Sequence, residues 1–393
     1  MKEPLRVLMV TGEYPPMEGG VADFTSIIVG RLVERGARVE ILTSVGAEDA
    51  TRGHDQAAVH ATMSQWGFRA LYRQLHSLLS SFQPDVINVQ YQTAAFGMQP
   101  AINFMPRFTR GVPVVVTFHD LRVPYLLPKM PRLRQWVNRT LAQKAAAVIA
   151  TNAQDRADLQ QWPGVHRIEG IPIGSNIRFH LPENYDRAIW RGQWGVSQRD
   201  VLLSFFGFLN DTKGAVELIQ ALHRLKRDNV PVCLMMIGGA VASSNASNRE
   251  YFDRVTQTIE QLGLQDDVFW TGYSANDQVS AAFRSSDICV LPFSDGASFR
   301  RGSLMAALTH GTAIVSTQPQ VELPEMVDRE NIYLVPPRDP EAIANAVKDI
   351  VEHPELKLRL ERGADELSHL FDWDGIADRT LDLFETVAHR TGR

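Results

Sequence analysis

The feature that most restricts the fold is a pattern repeated along the chain, in which a short, continuous apolar run is followed by a segment with helical spacing. In the first half the runs are LRVLMVTG, RVEILTS, DVINVQY, PVVVTFHD and AAVIATN, and in the second they are VLLSFFGF, VPVCLMMIGG, DVFWTG, DICVLPF, TAIVST and IYLVPP. Continuous apolar runs suit strands buried on both faces, as in a parallel sheet covered by helices. Between them VADFTSIIVGRLVERG, FRALYRQLHSLLSSF, GAVELIQALHRLKRD and DPEAIANAVKDIVEH read as helices, with Gly36 as the residue that closes the first. The pattern restarts after IEGIPIGSN, so two doubly wound α/β domains are expected, 1–174 and 175–372, and 393 residues are enough to build both.

Other classes are disfavoured. No run approaches the ~20 apolar residues that cross a bilayer, and the opening Met1-Lys2-Glu3-Pro4 lacks the apolar core of a leader. A cytoplasmic protein is expected, or one peripheral to the inner face of a membrane. Cys233 and Cys289 lie within apolar runs, where a thiol acts as a small buried hydrophobe, so neither a disulfide framework nor a thiolate metal site is expected. His, Asp and Glu show no metal-ligand spacing. The net charge is −5, but residues 1–175 carry 18 Lys and Arg against 14 Asp and Glu. Residues 105–144 hold eight cations against Asp120 alone, a patch that suits an anionic partner.

In open parallel sheets ligands bind beyond the carboxyl ends of strands. Four segments there carry chemistry. TGEYPPMEGGVADF places Gly19 and Gly20 before a helix, where bare amides can meet an anion; a tight turn and close packing explain the pair equally well. VVVTFHD delivers His119 and Asp120 to the sheet edge, the imidazole as a hydrogen-bonding group and Asp120 as its orienter, or both as loop caps. FFGFLNDTKGAVELI puts Lys213 on the entry turn of a helix, where an ammonium complements phosphate. PFSDGASFRRGSLMAALTHG combines a small-residue loop, Arg300, Arg301 and a helix opening at Gly302 and Ser303, a set suited to pyrophosphate; alternatively one arginine clamps Asp295 or Glu322. Neither a Gly-x-Gly-x-x-Gly fingerprint nor a Walker loop is present, which argues against hydride transfer and ATP hydrolysis.

Taken in order, VTGEYPPMEGGVADF, PDVINVQYQ, VVVTFHD, FFGFLNDTKGAVELIQAL, VFWTGYSANDQVSAAFRSSDICVLPF, LMAALTHGTAIVST, YLVPPRDPEAIANAV and FDWDGIA resemble the family 4 retaining glycosyltransferases of the GT-B fold over nearly the whole chain. The resemblance implies two Rossmann-like domains facing across a cleft, with the acceptor on the N-terminal side and a nucleotide-diphosphate sugar in the C-terminal domain. It implies a last helix, about 373–393, that returns to the first domain. It also implies metal-independent transfer, without a cofactor, to a glycan or lipid-linked acceptor, in cell-envelope or polysaccharide biosynthesis, with no nucleic acid partner. By resemblance His119, Lys213 and Arg301 are catalytic, with Gly19, Gly20, Ser298, Phe299, Arg300, Gly302 and Ser303 around the donor phosphates and Glu18 and Asp120 on the acceptor side. The family's Glu-x7-Glu pair is replaced by Ser298 and Ala306, and Phe208 stands near the place of a frequent arginine. A member that lost catalysis and serves as a binding or regulatory protein, a phosphorylase, or a nucleotide-sugar epimerase is the rival expectation.

One segment stands apart. RVPYLLPKMPRLRQWVNR, residues 122–139, interleaves Leu126, Leu127, Met130, Leu133 and Trp136 with Lys129, Arg132, Arg134 and Arg139. It reads either as a surface for an anionic membrane leaflet or as an ordinary amphipathic helix packed on its own domain.

Overall fold

A computed structural model describes residues 3–17, 19–47, 57–121, 131–238 and 246–391. The chain divides into two compact units, Met1–Gly174 with Asp372–Arg393, and Ser175–Phe371. Each unit is built on one parallel sheet.

The first unit runs β1 (Arg6–Thr11), α1 (Gly20–Glu34), β2 (Arg38–Ser44), β3 (Ala58–Met63), α2 (Phe68–Ser81), β4 (Val86–Tyr91), β5 (Val114–Phe118), α3 (Pro131–Lys144), β6 (Ala147–Ala150), α4 (Ala153–Gln160) and β7 (Ile168–Gly170). Its strand order is β3-β2-β1-β4-β5-β6-β7. The reversal of order between β1 and β4 opens a crevice at their carboxyl ends, which is where the glycine loop after β1 begins. All residues of β4 and β5 are buried, as their continuous apolar runs require. Helix α1 ends in a Schellman motif: Gly36 has φ +85°, its N–H donates to Val33 O at 2.8 Å, and the Ala37 N–H reaches Leu32 O at 3.0 Å.

The second unit runs α5 (Arg187–Gln193), β8 (Val201–Phe206), α6 (Ala215–Arg227), β9 (Val232–Ile237), α7 (Ala246–Gln261), β10 (Val268–Trp270), α8 (Asn276–Ser285), β11 (Ile288–Leu291), α9 (Gly302–Thr309), β12 (Ala313–Thr317), β13 (Tyr333–Val335), α10 (Pro340–Glu352) and α11 (Pro354–Ser368). Its order is β10-β9-β8-β11-β12-β13, with the reversal between β8 and β11. A buried Arg191 ties α5 to the sheet through Asp287 at 3.0 Å and the carbonyls of Ser285, Ser197 and Asp200. Both cysteines are buried and free, and burial pushes their thiols up to about 12, so they are inert packing groups.

The chain then returns to the first unit as α12 (Trp373–Thr391). Trp373 packs on Phe24 of α1 with ring centroids 5.3 Å apart, while Arg35 bonds Asp374 at 2.9 Å and Asp378 at 2.5 Å. No described helix is long and apolar enough to cross a membrane.

Candidate functional site

In the second unit the carboxyl ends of β8 and β11 carry the two loops that the motifs singled out, and the loops are laced together. Asn210 Oδ1 accepts from the Thr212 N–H at 3.0 Å and from its hydroxyl at 2.8 Å, closing a tight Asx turn. The Ser294 N–H donates to Thr212 O at 3.0 Å and its hydroxyl to Asp211 O at 2.9 Å. Gly214 then opens α6 in the left-handed region, φ +69°, with the Pro292 carbonyl so close that a Cβ would overlap it. Glycine is therefore required where the start of one element crosses the end of another.

This lacing brings two cations onto one aromatic ring. Lys213 Nζ lies 5.4 Å from the centroid of the buried Phe293 and the Arg301 guanidinium carbon 5.0 Å from it. Lys213 donates to Ser303 Oγ at 2.9 Å. Arg301 donates to Thr212 Oγ1 at 3.1 Å and through Nη2 to both carboxylate oxygens of Asp295. Of the two readings of the arginine pair, the clamp is seen at Arg301, which is held by Asp295 and stands beside Lys213. Burial, and then the Arg301 charge, pull the Lys213 ammonium down to about 8, with Asp295 opposing. Gly207 ends β8 at φ +117° with Lys213 Nζ 3.4 Å from the place of its missing Cβ, and Gly238, ending β9, adjoins it. The ammonium thus lies over a floor of backbone, beside the N-terminus of α9, where nothing lies within 4 Å of the place of a Gly302 Cβ.

The remaining residues of that motif take other positions. Phe299 turns onto Phe371, 4.7 Å between centroids, and joins the core. Ser298 Oγ accepts from the Arg300 N–H at 3.3 Å, the Arg300 side chain is half-buried, and Ala306 is fully buried in α9.

In the first unit Gly19 is the residue before α1, in extended backbone, and Gly20 opens the helix with nothing within 4 Å of the place of its Cβ. A Cβ on Gly19 would collide with the Glu13 carboxylate, which burial holds above the usual carboxylate range. Glu13 was not among the residues expected from the sequence, because a single acid in a loop carries no signal of where its carboxyl turns. Glu18 and 122–130 lie outside the described residues, and with them the first half of the basic segment. Within its described part, Trp136 is half-exposed and touches Phe104, while Arg139 stacks over Trp162 of its own unit at 5.7 Å.

His119 follows β5, where a histidine is expected to face solvent or a ligand, and its ring is largely covered: it is 8% exposed, edge-on to Phe24 at 4.9 Å. Its Nε2 is 2.7 Å from Gln90 Oε1, and burial lowers it to about 4, so the ring is neutral at pH 7. Asp120, next to it, is half-buried. No described group of His, Cys, Asp and Glu could hold a metal ion.

Two family descriptions match the chain in tandem: the glycosyl transferase 4-like domain over residues 19–174 and glycosyl transferases group 1 over 186–367. D-inositol 3-phosphate glycosyltransferase of Saccharomonospora viridis is 23% identical over 97% of this chain and 94% of its own length. Phosphatidyl-myo-inositol mannosyltransferase of Mycolicibacterium smegmatis is 24% identical over 81% of this chain and 75% of its own. Among solved structures, a glycosyltransferase from Rickettsia africae superposes with a TM-score of 0.77 at 15% identity over 98% of both chains. Anabaena HepE in complex with UDP gives 0.76 at 18% identity, over 97% of this chain and all of its own.

Proposed function

We propose a donor site and a mechanism for this chain, which belongs to the group 1 glycosyltransferases of family 4 and has their GT-B fold. It is a retaining glycosyltransferase that uses a nucleotide sugar. Our reading is that the diphosphate of the donor lies against Lys213 and Arg301, and the observation that carries it is the convergence of those two cations on Phe293 beside the open start of α9. Burial and the Arg301 charge disfavour the Lys213 ammonium and Asp295 offsets this only in part, so a further anion placed between the two cations relieves the remaining cost.

Charge that develops on the departing diphosphate is what such a site stabilises, and groups already in place do so without reorganisation. Retention follows if the acceptor hydroxyl attacks from the face that the leaving group vacates, the phosphate oxygen taking its proton. In this reading the two cations carry the leaving-group charge and no metal is needed. Ala306 is buried and Ser298 is engaged by Arg300, so we assign neither to the ribose. UDP is the first nucleotide to test, because HepE binds it on the same fold.

Melting curves with UDP and UDP-glucose, and with the other nucleoside diphosphates and their sugars, test the donor site. At 100 times the dissociation constant a ligand adds about 2.7 kcal/mol, and roughly 5–10 °C is expected for a unit of this size. Repeating the series between pH 7 and 10 tests Lys213 directly. The free ammonium titrates near 8, and a diphosphate beside it favours the charged form, so affinity falls as pH rises through that value. Stability of the ligand-free protein moves the other way. The folded lysine titrates below the unfolded one, the unfolded chain binds more protons between about 8 and 10.5, and stability rises with pH across that window. No shift with any nucleotide, or shifts that stay level to pH 10, would remove Lys213 from the site.

We further propose that the acceptor is presented at a membrane surface, with the basic segment 122–139 as the contact. The half-exposed Trp136 and a relative named for a phosphatidyl-inositol acceptor support this. Sedimentation with anionic vesicles at low salt should carry the protein down, and neutral vesicles should leave it in solution. Equal partitioning into both would sink the idea.

A further inference from the structure

A chain of buried amides runs from the middle of the first sheet to His119, and its direction can be worked out from one fixed point. Asn88 and Gln90 of β4 are two residues apart and share a face, as do Val115, Thr117 and His119 along and just after β5. The register pairs Asn88 with Val115 and Gln90 with Thr117, which brings the two sets side by side.

The fixed point is the Val115 carbonyl, which can only accept. Asn88 Nδ2 lies 3.2 Å from it and 3.1 Å from Thr117 Oγ1, so the amide nitrogen of Asn88 faces β5. Asn88 Oδ1 is thereby left for Gln90, whose Nε2 donates to it at 2.5 Å and also lies 3.3 Å from Met9 Sδ, a weak acceptor. Gln90 must then turn its Oε1 to His119, and that oxygen too can only accept. The imidazole nitrogen 2.7 Å away, Nε2, therefore carries the ring's proton.

We propose that Gln90 is a positioning residue: held through Asn88 on the Val115 carbonyl, it fixes His119 as the Nε2–H tautomer and leaves Nδ1 as a lone-pair acceptor for a substrate hydroxyl. Burial of the ring beside Phe24 keeps it neutral, so Nδ1 has no proton to give and acts only by accepting. The role of Nδ1 rests on His119 being part of the site; the tautomer does not.

The test separates the two. In long-range 1H–15N spectra of the 15N-histidine-labelled full chain, wild type should show His119 with Nε2 protonated and Nδ1 bare, without any substrate. Gln90→Leu, which removes the acceptor, should release the ring to the Nδ1–H form or a mixture, and Gln90→Glu, which keeps an oxygen there, should hold it at Nε2–H. Protonation of Nδ1 in the wild type overturns the proposal whether or not either variant folds. With UDP-glucose as the probe, Gln90→Leu should slow turnover about 10-fold or more with little change in nucleotide affinity, and Gln90→Glu should restore part of it. Equal loss of hydrolysis and transfer would assign the hydroxyl to the sugar, and loss of transfer alone to the acceptor. Unchanged rates with a released tautomer would show that Nδ1 touches no reacting hydroxyl and overturn the catalytic half.

Discussion

Replacing Lys213 with methionine is expected to lower transfer by about 10²–10³ while the ligand-free protein melts no lower than wild type. The rate loss follows if, as proposed, Lys213 is a preorganised charge facing the leaving diphosphate. The stability result follows from the same geometry read without ligand. Lys213 is largely buried beside Arg301 and titrates near 8 instead of 10.5, an unfavourable placement on the order of 3 kcal/mol at neutral pH. Methionine keeps the apolar stem and removes the charge, at the cost of the bond to Ser303 Oγ, worth about 1 kcal/mol. Loss of function with equal or greater stability is the signature of a residue kept for its chemistry. A variant that turns over within a few-fold of wild type, or that loses activity only in step with its fold, would return Lys213 to a structural role.

Gly214→Ala should be the most damaging small substitution in the second unit. The residue has φ +69°, which costs a non-glycine about 1–2 kcal/mol, and its new methyl would overlap the Pro292 carbonyl, a backbone atom with no rotamer to escape into. We expect about 2–5 kcal/mol of destabilisation, a fall of roughly 5–15 °C in melting temperature for a unit of this size. The clash also pushes α6 from the end of β11, separating Lys213 from Phe293, so nucleotide binding should weaken even below the melting transition. An alanine variant with wild-type melting and binding would mean that the loops are free to part, and that their lacing does not set the site.

The sheets were legible because continuous apolar runs have few alternatives in a chain of this length. The strands missing from that reading fail for a physical reason. In β3 Val59, Ala61 and Met63 alternate with His60 and Thr62, but only Met63 is fully buried and His60 reaches across to Glu40 at 2.9 Å, so this edge strand lacks the continuous apolar run that marked the others. The short β7, all half-buried, read as the junction instead. For the proposed donor site, Lys213 and Arg301 were singled out because each lies beside a glycine in a loop that follows a strand and opens a helix. Their meeting over Phe293 was not legible, since an aromatic at a strand end looks like core until its neighbours are known. Phe299, four residues before Ser303, looked like part of the same loop but turns the other way onto Phe371. Gln90 and Asn88 were hidden inside DVINVQY, where two amides in an apolar strand hint at a buried network without naming the residue it serves.

The return of α12 makes the first unit a discontinuous one, with Ser175–Phe371 inserted between its main body and its last helix. During synthesis the second unit emerges in one piece, with all its elements made before α12. The first unit does not. Phe24 lacks Trp373, and Arg31 and Arg35 lack Asp374 and Asp378, until α12 is made. A segment made after the whole second unit therefore completes the unit made first, and until α12 emerges the nascent chain presents an uncovered α1 face.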